Sequence, residues 1–155
     1  MRVATTEETA RRLGHMVPVR VSAKTDYALR ACAELAAADG RMLKAEQIAR
    51  AQGIPLKFLL NIMTQLRQEG LVRSLRGSEG GYRLAREAEA ISLAEVIGAV
   101  EGPLSTVRDS LPGERTYEGP AEGLRRVWLV LHARLERTLG GINLADLVAG
   151  AVPDA

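Results

Sequence analysis

The chain has 155 residues, 46% apolar and 26% charged, the balance of one globular domain with a core of its own. One cysteine, two histidines and no apolar run near the roughly 18 residues that span a bilayer exclude a disulfide framework, a thiolate- or imidazole-rich metal site and a transmembrane helix. The net charge of +2 hides twelve Lys and Arg against six Asp and Glu over residues 20–86, then six against eleven over 87–155, so a polyanion would meet the first half.

Residues 1–19 show no sustained periodicity and no signal-peptide apolar core. They are read as a disordered or non-native N-terminal segment outside the fold, and the protein as cytoplasmic with no membrane contact. Ser22 is a suitable N-cap, and Ala28, Leu29, Ala31, Cys32 and Leu35 form a helical apolar stripe that Gly40 ends. Ala45–Gln52 predicts a short helix. Gly53 then supplies the positive φ of a tight turn, Ile54 plugs the angle, and Pro55 suits the first turn of a helix reaching about Glu69. That helix repeats Phe58, Leu59, Ile62, Met63 and Leu66 at helical spacing, so all five are expected to face inward. Short helix, glycine turn and second helix make a helix-turn-helix.

"LVRSL" and "YRLA" alternate in the β manner around "RGSEGG", which predicts a hairpin with Gly77, Gly80 and Gly81 at its tip. A nucleotide-binding glycine loop would lead into a helix, and these glycines lead into a strand, so the catalytic reading fails. Ser92 with Glu95 forms a capping box for a short helix ending near Gly102-Pro103. Residues 103–120 read as a loop. A long helix from about Ala121 to Thr138 or Leu139 carries Leu124, Val127, Trp128, Leu131 and Leu135, with Ile142 continuing the spacing. That stripe can pack within the chain or against a second copy. Asn143 caps a last turn, and 151–155 is a tail. The expected fold is mostly α with a small β-wing: a winged helix-turn-helix over 20–102, a connector over 103–120, and a dimerisation helix with a short C-terminal helix over 121–150, with Leu124, Val127, Trp128, Leu131, Leu135 and Ile142 at the dimer interface.

Each part suits DNA. With its apolar face used up, the second helix leaves Lys57, Asn61, Thr64 and Gln65 or Gln68 outward, and its first turns enter a major groove. Leu56, Lys57 and Asn61 are therefore the candidates for base edges. Thr64, Ser22, Lys24 and Lys44 would hold phosphates. The wing glycines would let backbone approach the sugar-phosphate chain, Arg76 would reach a narrow minor groove, and Arg73 and Arg83 would add backbone contacts. A glycine hairpin alone could be no more than a tight turn; after a helix-turn-helix, a wing is favoured.

"VSAKTDYALRACAELA", "AEQIARAQGIPLKFLLNIMTQLRQEGLVRSLRGSEGGYRLA" and "ISLAEVIGAVEGP" resemble the bacterial Rrf-two (IscR/NsrR-like) family of winged helix-turn-helix transcription regulators. The similarity covers about residues 20–104 and, with "VW…LADLV", reaches roughly Leu147. It implies a homodimeric regulator, usually a repressor, whose long C-terminal helix crosses its partner. It also carries DNA contacts onto Arg76, Lys57, Asn61 and Thr64. Sensing members place three cysteines in the loop before that helix; here Leu104 to Glu122 has none. Asp26 matches a cluster carboxylate of some members, but one carboxylate cannot hold a cluster, so no iron–sulfur cofactor is expected. The loop could bind an unidentified effector through Arg108, Asp109, Arg115 or Tyr117, or be an inert connector. Cys32 reads as a small core residue, with an oxidation sensor as the alternative; Trp128 reads as an anchor of the interface or core, and His132 receives no role. A winged-helix module for an acidic protein partner is the alternative function. No catalytic constellation appears.

Overall fold

The computed structural model describes residues 20–154, so the expectation for residues 1–19 concerns a segment outside the described residues. Helix α1 (Ala23–Ala37) starts where the Ser22 hydroxyl oxygen accepts the Thr25 backbone N–H at 3.0 Å. Its stripe of Ala28, Ala31, Cys32 and Leu35 is buried at the centre of the molecule. Helices α2 (Ala45–Gln52) and α3 (Leu56–Gln68) meet at Gly53, whose φ of 62° is the left-handed cap a glycine adopts without strain. Buried Ile54 fills the angle between them, and Pro55 is the N-cap of α3. Leu59, Ile62, Met63 and Leu66 turn inward as expected. Phe58 does not: it is 43% exposed and packs edge-on against Tyr27 of α1, ring centroids 5.5 Å apart. At about 100° per residue it lies near the rim of the apolar arc, where helical spacing alone cannot separate core from edge.

Strands β1 (Val72–Leu75) and β2 (Gly81–Leu84) form the antiparallel hairpin, with Val72 opposite Leu84 and Leu75 opposite Gly81. Leu43, just before α2, adds a third arm: it exchanges two backbone hydrogen bonds with Tyr82, at 2.9 and 2.7 Å. A one-residue bridge has no alternation to read, so the sequence gives no sign of it. This packing decides two glycines. A Cβ on Gly81 would stand 2.5 Å from the Leu43 carbonyl oxygen, and one on Gly80 would stand 2.1 Å from that of Leu75. Gly80 is required by the hairpin's own backbone and Gly81 by the Leu43 arm, a structural reason beside the expected approach to a phosphate. Gly77, with φ of 106°, has open space beside it. Gly80→Ala should therefore open the wing tip at roughly 1–3 kcal/mol, read as a lower thermal midpoint. Gly98→Ala, in a helix with nothing within 4 Å, should hold or raise it.

Helix α4 (Leu93–Glu101) opens with Ser92 and Glu95 capping reciprocally. The Arg86 guanidinium donates to Glu95 at 2.7 Å, and that bond with the Ser92 N–H holds the Glu95 carboxyl below its usual range. After a short 3-10 turn at Gly119–Ala121 comes α5 (Leu124–Gly140), then α6 (Leu144–Ala149), capped by Asn143. The long helix thus starts three residues later than its sequence pattern suggests. Ile142 lies beyond its end and is 6% exposed; its carbonyl accepts from the Leu93 N–H at 2.9 Å, while Leu144 donates to the Ile91 carbonyl at 3.0 Å. The expected place of Ile142 on an intermolecular stripe is therefore wrong: the Gly140-Gly141 break turns it into its own chain's core. Leu144 is buried with it and α6 packs on α1, so the C-terminal turn completes the winged-helix core rather than forming a separate segment.

Candidate nucleic-acid interface

Four core residues fix which side of α3 faces away. At about 100° per residue, Lys57, Asn61, Thr64 and Gln68 fall within roughly 60° of one another, opposite the buried side, and all four are exposed. Leu56 and Leu60 flank this stripe on one side, also exposed, and Phe58 with Tyr27 bounds it on the other. Arg30 stacks over Tyr27, 4.9 Å from the ring centroid, and donates to the Gln52 carbonyl at 2.7 Å, tying α1 to the end of α2. Thr64 is outward, with its hydroxyl donating to the Leu60 carbonyl at 2.9 Å, which leaves its oxygen lone pairs free to accept. Gln65, offered beside Gln68 as an outward residue, is only partly exposed.

The wing presents Arg76 at its tip, exposed and joined to no carboxylate among the described residues. Lys44 acts on the wing itself: its ammonium donates to the Gly77 carbonyl at 2.6 Å, across from the start of α2 to the hairpin tip. Arg73 and Arg83 sit directly opposite each other on the two strands, both exposed. Lys24 is partly exposed in the first turn of α1. Ser22 is placed poorly for a phosphate. Its hydroxyl hydrogen-bonds the Glu101 carboxylate, which also accepts from Thr25 at 3.3 Å, so a negative charge already occupies that helix start. The Ser22–Glu101 pairing bridges 79 positions of sequence and no local pattern announces it.

Cys32 has no accessible surface, and burial raises its thiol from 9.0 to about 12. A thiolate is the reactive form, so the oxidation-sensor alternative loses its chemistry. Iodoacetamide at pH 8 should leave the folded protein unmodified and label Cys32 only after denaturation. Because the folded pKa is raised, the stabilisation it reflects is complete below pH 9 and falls as pH climbs towards 12.

The connector is built, not slack. Val107 and Ser110 bridge around Arg108 and Asp109, with φ of 50° and 65°, the conformation of a tight hairpin turn. Arg115 donates to the Val107 and Arg108 carbonyls at 2.8 and 2.9 Å. The Trp128 indole donates to the Tyr117 hydroxyl at 3.1 Å, and Ser105 lies 2.7 Å from His132 Nδ1. Of the groups considered for an effector, Arg115 is thus spent within the loop and Tyr117 on α5, while the Arg108 and Asp109 side chains make no hydrogen bond among the described residues. An apolar arc of α5 is largely uncovered: Leu124, Val127, Trp128, Leu131 and Leu135 lie within roughly 100°, with Trp128 at the edge that meets Tyr117, and no residue of the helix is buried.

A tri-helical core, an outward polar stripe on the second helix of a helix-turn-helix and an arginine-tipped hairpin beside it define a winged helix-turn-helix transcription regulator. The family model described as "Rrf2: Iron-dependent Transcriptional regulator" matches residues 21–150. The chain belongs to that family. Rv1287 of Mycobacterium tuberculosis, named among the HTH-type transcriptional regulators, is 47% identical over 137 residues, covering 88% of this chain and 85% of its own. The HTH-type transcriptional regulator IscR of Xenorhabdus nematophila is 36% identical, over 84% of this chain and 79% of its own. Among solved structures, CymR of B. subtilis, titled the global cysteine regulator, superposes with a TM-score of 0.72 at 31% identity, over 85% of this chain and 98% of its own. T. potens IscR gives 0.70 at 30% identity, covering 90% of each chain. No helix among the described residues is long and apolar enough to cross a membrane.

Proposed function

We propose that the protein is a homodimeric repressor that binds a pseudo-palindromic operator and acts by occupancy, without turnover. The observation that carries this reading is the pairing of two exposed elements on one packed core: the Lys57–Asn61–Thr64 stripe for a major groove and Arg76 for the neighbouring groove or backbone. The largely uncovered apolar arc of α5 supports a second copy, because an exposed stripe of this width on one helix is best covered by its symmetry mate. Two modules related by a two-fold axis would meet half-sites about one helical turn, or a multiple, apart.

The family description names iron, and the donor set here does not fit a cluster. The connector holds no cysteine, the one thiol is buried, and among the described residues no three His, Cys, Asp or Glu side chains are grouped so as to hold a metal ion. We therefore read the protein as working without an iron–sulfur group. Protein purified without oxygen should show no visible iron–sulfur absorption; a band there would refute that reading. For DNA binding, gel shift against genomic fragments should give sequence-selective complexes of two chains per site. Their affinity should fall linearly in log–log against salt. No selective shift at moderate salt would return the protein to the alternative, a module for an acidic protein partner.

A further inference from the structure

The root of the wing borders a cleft set apart from the Lys57–Asn61–Thr64 stripe and the Arg76 tip, and its lining takes in Arg73 and Arg83, offered above only as accessory backbone contacts. It holds about 480 Å³, within the size of small-molecule sites, and lies between the end of α1, strand β2, the turn after it and α6. Two features of its lining bear on what it would hold. Arg73 and Arg83 stand directly opposite on paired strands, and like charges in that register repel. Neither is joined to a carboxylate among the described residues; Arg86, the third guanidinium of the cleft, is already held by Glu95. Asp39, Glu87 and Glu89 line the same cleft and likewise make no ion pair there. Cations and carboxylates thus share one concavity without neutralising each other. Leu35, Leu84 and Val148 supply apolar surface between them.

We propose that this cleft is an effector site for a compact zwitterion of the α-amino acid class. The carboxylate would lie against the Arg73–Arg83 pair, the ammonium towards the acidic rim, and a short apolar side chain against Leu84 and Val148. The lining selects among anions. A duplex presents an unbroken row of phosphates that Asp39, Glu87 and Glu89 would repel, whereas a zwitterion satisfies both signs. The place also suits regulation, for one wall is the wing and another is α6, joined to α5 by the short Gly141–Asn143 link. A guest that contacts both ties the setting of the wing to the dimer helix. The effector role rests on the repressor reading; the binding itself does not.

The test is a thermal-shift and calorimetric screen of the twenty common amino acids on the full chain without DNA, with succinate and inorganic phosphate as anion-only probes. At least one amino acid should bind saturably and raise the thermal midpoint, while the two anions should not. Arg83→Gln should weaken that binding tenfold or more while leaving the free protein's midpoint equal or higher, since it removes a repulsion rather than a contact. Glu87→Gln should weaken it as well. Binding by none of the twenty, or binding unchanged in both variants, would overturn the site. The bound amino acid should then change affinity for a shifted genomic fragment at least threefold; unchanged affinity would overturn the effector role. Arg76→Ala separates the two readings, because it should impair DNA binding and leave amino acid binding intact.

Discussion

Arg76→Ala should weaken operator binding by roughly 1–3 kcal/mol per module, about five- to 150-fold. The size follows from how the side chain is presented. Its hairpin is anchored at the root by buried Val72 and by the Leu43–Tyr82 bridge, and at the tip by Lys44 on the Gly77 carbonyl. Arg76 is therefore carried on a rigid finger that need not be ordered when DNA arrives, so its loss is felt almost wholly as lost contact. Leu75 beside it is 60% exposed and makes no demand on the core, and neither does Arg76, so the fold should survive the change. Fluorescence anisotropy on a footprinted site, with Glu122→Ala as the control, measures the effect. Equal affinities for Arg76→Ala and the control would remove the wing from the interface. If the arginine meets phosphate or a narrow groove rather than a base edge, the loss should be uniform across related sites, and the salt dependence should flatten by about one ion per arginine.

The interface was more legible than its supports. Helical spacing placed Leu59, Ile62, Met63 and Leu66 inside, and that placement turned Lys57, Asn61 and Thr64 outward without any further information. Turn chemistry did the same for Gly53 and the wing. The errors fall where a residue's role depends on a distant partner. Ile142 kept the spacing of a helix that Gly140-Gly141 had already ended, and its burial depends on Leu93, far away in sequence. Phe58 fitted the apolar pattern, yet its ring is held at the surface by Tyr27. Ser22 looked like a phosphate ligand because nothing local reveals Glu101 beside it. Gly80 and Gly81 carry a second reason that no local pattern shows, since each also admits backbone of its own chain. Periodicity reports which face a residue takes; it does not report what comes to meet that face.

Helix α5 offers the larger perturbation. Leu131→Asp should convert the protein to a folded monomer and reduce operator affinity at least a hundredfold. No residue of α5 is buried within its own chain, and Leu131 is 38% exposed, so a carboxylate there meets water in the isolated chain and costs the fold little. In a symmetric dimer the same position is covered twice. Each subunit would bury an unpaired charge, a penalty of roughly 3–5 kcal/mol. That is enough to raise the dimer dissociation constant by more than about two orders of magnitude. DNA affinity should fall with it, because one module alone holds only a half-site. Sedimentation should report the change of mass, and far-UV circular dichroism should keep its helical amplitude. Arg126→Asp, on the opposite side of α5 by its helical angle, changes the charge by two units and should remain dimeric. If Leu131→Asp stayed dimeric while Arg126→Asp dissociated, the interface would lie on the other face of the helix. The arc formed by Leu124, Val127, Leu131 and Leu135 would then need a different occupant.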